Sequence, residues 1–305
     1  MGRSLGSQVF DIYNVIFYFP IIDLVVFTRK HVYNENNDMC YSLVYDCRGT
    51  TVLEMIYLFD VDGTLTPAKN KIDQQFARDF YDWQKGKQVY IVSGGSFPRI
   101  LDQLGREITD EMKGVFSCMG NAYYKKKPNL DGYSTWSLIY KNKFTVEKPR
   151  LFFSELERYV MNSDYHTKTG RHYEERVGMV NFSIVGRNAT MEERKQYEEY
   201  DTEHREREKI VAKLSKKHPS LDFVIGGAVS MDIFNKGNDK GQVIKHFSDK
   251  LADHHIVFVG DRIPFPGNDY SLAEAVKRCP HGDAIEVNTW QDTAALLKTD
   301  LFASG

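Results

Sequence analysis

From Met55 to Phe59 apolar and aromatic residues follow one another without a polar break, and the run stops at Asp60-Val61-Asp62-Gly63-Thr64. An unbroken run of this length reads as a strand buried on both faces, as in a parallel sheet. The next segment, Asp73 to Lys85, carries Phe76, Phe80 and Trp83 at helical spacing and predicts an amphipathic helix ended by Gly86. A second apolar run, Gln88 to Val92, enters Ser93-Gly94-Gly95-Ser96, and a short helix is expected over Pro98 to Leu104. Strand, polar loop and helix thus occur twice, which is the rhythm of a βαβ unit.

From about Tyr133 the rhythm is lost. The pattern predicts a helix over Phe144 to Asn162, an alternating strand over Val180 to Val185, and a solvated helix in the charged run Glu192 to Lys209. Leu221 to Ile225 and Val229 to Phe234 flank Gly226-Gly227 as a hairpin. The rhythm then returns. Lys240 opens a helix reaching Leu251, His255 to Val259 forms a strand ending in Gly260-Asp261, and the following loop closes with Pro266-Gly267-Asn268-Asp269. Ala284 to Val287 and a helix over Trp290 to Leu297 complete the pattern.

The fold class expected is α/β: a doubly wound parallel-sheet core, residues 55–132 and 234–305, with an inserted α+β domain over 133–233. Residues 1–54 are read as an extension, either an appendage or an upstream start outside the working domain. Their apolar run Val15 to Phe27 is broken by Pro20 and Asp23 and is too short to span a membrane. Arg3 alone makes a poor signal-peptide head, and Gly6 stands where myristoylation would need Ser or Thr.

Composition changes this picture little. A hydrophobic share of 42%, a charged share of 27% and a formal net charge of -2 describe an ordinary globular chain with no general attraction for nucleic acid or an anionic membrane. The cysteines, Cys40, Cys47, Cys118 and Cys279, form no C-x-x-C pair, so no zinc site is indicated and a reducing cytoplasmic setting is expected.

Three strand ends therefore deliver Asp60 and Asp62, Ser93, and Asp261 with Asp269, while Lys240 stands at a helix start. In open α/β sheets ligands gather at the carboxyl ends of strands. Carboxylates meeting there make an oxygen-rich site suited to Mg²⁺. Asp60 is placed to attack phosphorus and form an aspartyl phosphate, Asp62 to serve as general acid and base, and Lys240 to balance phosphoryl charge. Lys236 competes for the last role. The Ser-Gly-Gly loop offers a hydroxyl and free amides to phosphate oxygens.

The combination D-x-D-G-T, S-G-G, a lysine before a helix and G-D-x₆-N-D resembles the haloacid dehalogenase superfamily. Within it, residues 55 to about 290 resemble the eukaryotic-type phosphomannomutases. That family's pattern R-x-G-M-x-N-x-S-x-x-G-R appears as Arg176 to Arg187, E-E-R as Glu192-Glu193-Arg194, and G-G-x-x-S-x-D-x-F as Gly226 to Phe234. The resemblance implies that the insert is a C2-type cap and that Asp60, Asp261 and the Asp62 carbonyl hold Mg²⁺, with Asp269 a further metal residue of the same site. It further implies that Arg176, Arg187 and Arg194 grip the phosphate at the sugar end not reacting, and that Ser230 and Asp232 hold sugar hydroxyls. A mutase must hold a bisphosphorylated hexose by either end, so it needs a second phosphate site, which guanidinium forks provide.

The implied reaction is interconversion of mannose 6-phosphate and mannose 1-phosphate for GDP-mannose synthesis. A hexose 1,6-bisphosphate is the implied activator, and a homodimer through the cap the implied assembly. The rival is a sugar-phosphate phosphatase of the same superfamily, and an inactive sugar-phosphate-binding homologue is a third reading. Departures from the family are the single glycine in Phe265-Pro266-Gly267-Asn268-Asp269, Cys118-Met119-Gly120-Asn121 in place of E-N-G, and Lys69 where a substrate-binding arginine is frequent. Ser93 and Ser96 both remain candidates for the hydroxyl on the transferring phosphate.

Overall fold

A computed structural model describes residues 9–16, 26–33, 39–45, 51–68, 70–128, 134–299 and 302, with side chains from Leu53 onward. The substrate-binding candidate Lys69 lies outside the described residues. The first four strands, β1 (Val9–Ile16), β2 (Val26–Tyr33), β3 (Met39–Tyr45) and β4 (Thr51–Val52), pair antiparallel in chain order as a sheet of their own.

The apolar run at Met55 lies within β5 (Glu54–Phe59), followed by α1 (Gln74–Gln84), β6 (Gln88–Val92), α2 (Phe97–Leu104), α3 (Arg106–Glu111) and β7 (Gly114–Ser117). The Asp73 side chain caps α1 by accepting from the amides of Gln75 and Phe76, which is why the helix starts there. The chain turns back through β8 (Ala122–Pro128) and β9 (Ser134–Lys141). The change of rhythm near Tyr133 assigns β9 to the insert, but β9 pairs antiparallel with β8 in the larger sheet. It is a half-exposed edge strand of that sheet and not the start of a new domain.

The insert proper contains α4 (Pro149–Met161), β10 (Tyr173–Arg176), β11 (Met179–Phe182), α5 (Met191–His204), α6 (Glu206–Lys217), β12 (Leu221–Gly226) and β13 (Ser230–Asn235). Helix α4 begins later than its pattern suggests because Pro149, which has no amide proton to donate, occupies the first turn. The charged run is two helices divided at Arg205, whose φ of 52° is left-handed. It is also not wholly solvated, since Tyr197, Asp201 and Arg207 are buried along it. The four strands form one antiparallel sheet, order β10-β11-β13-β12, covered by a core that includes Phe152, Phe182, Tyr197 and Ile233. Strand β11 is buried throughout and is internal core.

The chain then returns through a 3₁₀ helix (Lys240–Phe247), shorter than the helix to Leu251 that the pattern predicts, to β14 (His254–Gly260), α7 (Tyr270–Lys277), β15 (Gly282–Glu286) and α8 (Trp290–Leu296). The large sheet runs β15-β14-β5-β6-β7-β8-β9, parallel from β15 to β7. One face packs Phe76, Phe80, Trp83 and Phe302 against β5, and the other packs Phe247, Leu272 and Val276. With apolar layers on both faces, the open positions for polar groups are the strand ends. No described helix is long and apolar enough to cross a membrane.

Candidate active site

Strand β5 lies between β14 and β6, so its carboxyl end is walled by both neighbours. Asp60 is the first residue past the strand; its amide donates to Val259 O at 3.0 Å, which extends the ladder and fixes the side chain over the sheet edge. It is only 4% exposed. Beyond it Gly63, at φ 90°, passes so close to the β14 end that a Cβ there would stand 2.3 Å from Asp261 Oδ2. The glycine of the first motif therefore makes room for the third carboxylate.

Lys240 is completely buried and donates from Nζ to Asp60 Oδ1 and to Asp269 Oδ1, each at 2.6 Å. Lys236, its rival in the sequence, is exposed. Burial works against the Lys240 charge, but Asp269 and then Asp60 outweigh it, and its pKa lies above the usual lysine range. One ligand oxygen from each of Asp60, Asp261 and Asp269 falls within 4.8 Å of the others. Burial and the neighbouring carboxylates raise Asp60 well above the usual carboxylate range in spite of Lys240. Burial and Asp269 push Asp261 up to about 7. Three packed carboxylates against one lysine thus leave negative charge uncompensated, and hard oxygen donors with excess negative charge fit a divalent cation such as Mg²⁺. Asp269 has both oxygens engaged, one by Lys240 and the other by the Arg262 amide at 3.0 Å.

Asp62 faces away from this cluster. Its Oδ1 accepts from Gln103 Nε2 at 2.9 Å, and its Oδ2 lies 3.5 Å from Arg99 Nη2. Ser93 and Ser96 separate clearly. Ser93, at the β6 end, is buried, lines the cavity and accepts the Gly95 amide at 3.0 Å, whereas Ser96 stands at the start of α2, away from the cavity wall.

The insert closes over these strand ends, leaving a cavity of about 200 Å³. Arg176, at the end of β10, donates to Gly94 O at 2.9 Å and to Glu174 Oε2. Arg187 bonds Glu174 and the Asn181 side chain. Arg194, in the first turn of α5, sits behind Arg187 and donates to the carbonyls of Ala189 and Arg187. Its buried Nη1 has no partner among the described residues. Asp232, on β13, lies opposite Asn181 of β11 and accepts from it at 2.7 Å. Burial raises its pKa, against the pull of Arg176. Ser230 donates to Gly226 O at 2.7 Å in the same hairpin.

The structure therefore brings Asp60, Asp62, Ser93, Arg176, Arg187, Ser230, Asp232 and Asp261 around one cavity. Lys240 and Asp269 lie directly behind Asp60. Sequence reading did not single out Arg99, Gln103 or Glu174, and it gave no role to Asn181, which stands within the quoted family pattern. The first two carry no distinguishing signal, being polar positions on a short amphipathic helix.

A parallel sheet with acidic strand ends, roofed by an inserted antiparallel sheet, is the haloacid dehalogenase-like architecture, and its acidic edge beneath guanidinium groups is that of a phosphotransferase. The chain belongs to the eukaryotic phosphomannomutase family, whose members are isomerases that transfer a phosphoryl group intramolecularly. The family model matches residues 77–303. A phosphomannomutase of Saccharomyces cerevisiae is 34% identical over 251 residues, 82% of this chain and 94% of that one. One from Dendrobium officinale is 33% identical over 251 residues, 82% and 95% of the two chains. One from Drosophila melanogaster is 32% identical over 248 residues, 80% and 94%. Among solved structures, an IMP-bound mutant of Plasmodium falciparum IMP-nucleotidase shares the fold at TM-score 0.54 and 15% identity, over 81% of this chain and 67% of that one.

Proposed function

We propose that the chain interconverts mannose 6-phosphate and mannose 1-phosphate through a hexose 1,6-bisphosphate, which also acts as activator. The observation that supports a mutase over a phosphatase is the facing of two anion sites across one cavity. Below, Asp60 and Ser93 line it with Lys240 bonded to Asp60 from behind; above lie Arg176 and Arg187. A phosphatase acting on a monophosphate needs only the lower one.

Asp60 attacks phosphorus and becomes the aspartyl phosphate, while Asp62 gives its proton to the sugar oxygen that leaves. Lys240 stays cationic and balances the phosphoryl oxygens, and Ser93 donates its hydroxyl to one of them. Asp232 and Ser230 orient the sugar hydroxyls, and the cap arginines hold the distal phosphate. Arg194 braces Arg187 and offers its remaining buried donor. Asp60, Asp261, Asp269 and the main chain of Asp62 would hold Mg²⁺, and Asp269 also anchors Lys240. The ion's contribution when bound is to offset repulsion between carboxylate and phosphate. The sugar turns end for end and the second transfer reverses the first. The active unit is a homodimer joined through the cap, to be checked by sedimentation.

The test is conversion of mannose 1-phosphate to mannose 6-phosphate with Mg²⁺ and a hexose 1,6-bisphosphate. Isomerisation is expected, and it should vanish in Asp60→Asn. Release of inorganic phosphate without isomerisation would replace the proposal with a phosphatase. In Arg187→Ala we expect isomerisation to fall by roughly two orders of magnitude, since a bidentate guanidinium bond to a charged group is lost, while transfer to water persists.

A further inference from the structure

Asp62 is gripped on both oxygens by one helix, α2, and neither of the gripping residues belongs to the motifs that define the site. Gln103 is 4% exposed, in the last turn of α2, and its Nε2 lies 2.9 Å from Asp62 Oδ1. The same amide nitrogen reaches Asn70 O at 3.2 Å and Thr66 Oγ1 at 3.3 Å, so it ties Asp62 to the loop that follows it. The Gln103 backbone carbonyl accepts from Ile72 N at 2.9 Å, pinning the end of that loop to the helix. Orientation of the amide is settled by its other end, because Gln103 Oε1 accepts from Arg99 Nε at 3.3 Å. Turned over, the amide would set its oxygen against the Asp62 carboxylate and its nitrogen against the Arg99 guanidinium, two repulsive contacts in place of two attractive ones. Arg99 also approaches Asp62 Oδ2 at 3.5 Å, closing a triangle of side chains.

We infer that Gln103 is a positioning residue for Asp62, holding it at the leaving oxygen, and that Arg99 locks the Gln103 amide in the orientation this requires. The inference rests on the reading of Asp62 as the general acid and base. In the step concerned, an Asp60 oxygen forms the new bond to phosphorus and the bond from phosphorus to the sugar oxygen breaks. The electron pair stays on that oxygen, which takes the Asp62 proton and leaves Asp62 as carboxylate. On return, a sugar hydroxyl gives its proton to Asp62 as its oxygen attacks the aspartyl phosphate, which frees Asp60.

Proton delivery matters in proportion to the basicity of the leaving group, and this separates positioning from general support of the fold. A sugar alkoxide needs the proton, whereas the acetate that leaves from acetyl phosphate does not. The experiment compares the rate at which Asp60 is labelled by radioactive hexose 1,6-bisphosphate with the rate from radioactive acetyl phosphate, in the full chain with Mg²⁺. In Gln103→Met, which keeps the volume and removes the donor, the ratio of the two rates should fall about 10- to 100-fold, a part of what a general acid contributes. Arg99→Met should lower the ratio in the same direction by a smaller factor, and it keeps the inference testable if Gln103→Met does not fold.

Asp62→Ala serves as the reference. If Asp62→Ala lowers the ratio and neither α2 variant does, the positioning inference fails while the mechanism stands. If Asp62→Ala leaves the ratio unchanged, Asp62 is not the acid, and the proposed mechanism fails together with the inference. Equal slowing with both donors in the α2 variants would mark a purely structural role and overturn the inference.

Discussion

Single side chains at the sheet edge are constrained by contact as well as by charge. Gly63 shows this most sharply. Its positive φ and its approach to Asp261 leave no room for a methyl group, so Gly63→Ala must displace either the loop carrying Asp62 or the carboxylate of Asp261. We expect this one-carbon change to reduce isomerisation to background, with the fold retained by circular dichroism. Near-normal turnover would show that the loop and Asp261 are not held against each other. The motif residues were legible because their types are costly at a strand end: a buried carboxylate needs a cation, and Asp60 finds Lys240 180 positions later. Gln103 and Arg99 were not legible. A polar residue on an amphipathic helix looks the same whether it meets solvent or a cavity, and only the packing of α2 against the β5 loop distinguishes the two.

At the scale of elements, the charged run shows where pattern misleads. Within it Asp201 and Arg207 form a buried ion pair at 2.7 Å, with side chains 8% exposed, across the junction of α5 and α6. Arg207 continues to Gly227 O at 2.9 Å, so the junction carries the hairpin turn that presents Ser230. Arg207→Ala would leave a buried carboxylate unpaired, and we expect a loss of about 3–5 kcal/mol in unfolding free energy by denaturant titration. A raised KM for the sugar phosphate should accompany it. Sequence could not reveal this pair because Asp and Arg six apart meet only if the helix breaks between them, and Arg205, an ordinary residue in a left-handed conformation, carries no break signal. Strands were easier: β5, β6 and β14 are apolar runs with no competing period. The β9 assignment failed because a half-exposed strand lacks the buried apolar run that marks β5 or β6, whichever sheet it joins.

For the molecule as a whole, the acidic edge ties stability to pH and metal together. Asp60 and Asp261 are raised above the carboxylate range in the fold, Asp261 to about 7. Groups so raised favour the folded state at pH below their unfolded values and withdraw that support as pH climbs to the folded ones. Without a divalent cation the protein should therefore lose stability from the usual carboxylate range up to about pH 7. Saturating Mg²⁺ should cancel much of that loss. Thermal unfolding with chelator and with Mg²⁺, near pH 5 and near pH 8, should give the larger Mg²⁺ increment at the higher pH. Equal increments would mean that these carboxylates do not bind the ion.

The roof over this edge is fastened at the level of the main chain: Arg176 holds Gly94 O, and Ile225 bridges Gly267. In the proposed mechanism Gly94 belongs to the loop that would receive one phosphate and Arg176 to the site that would receive the other. If, as proposed, the sugar turns end for end beneath this roof, these two contacts lie where the roof would have to give. On that reading the balance between isomerisation and loss of phosphate to water would depend on how firmly the two contacts hold.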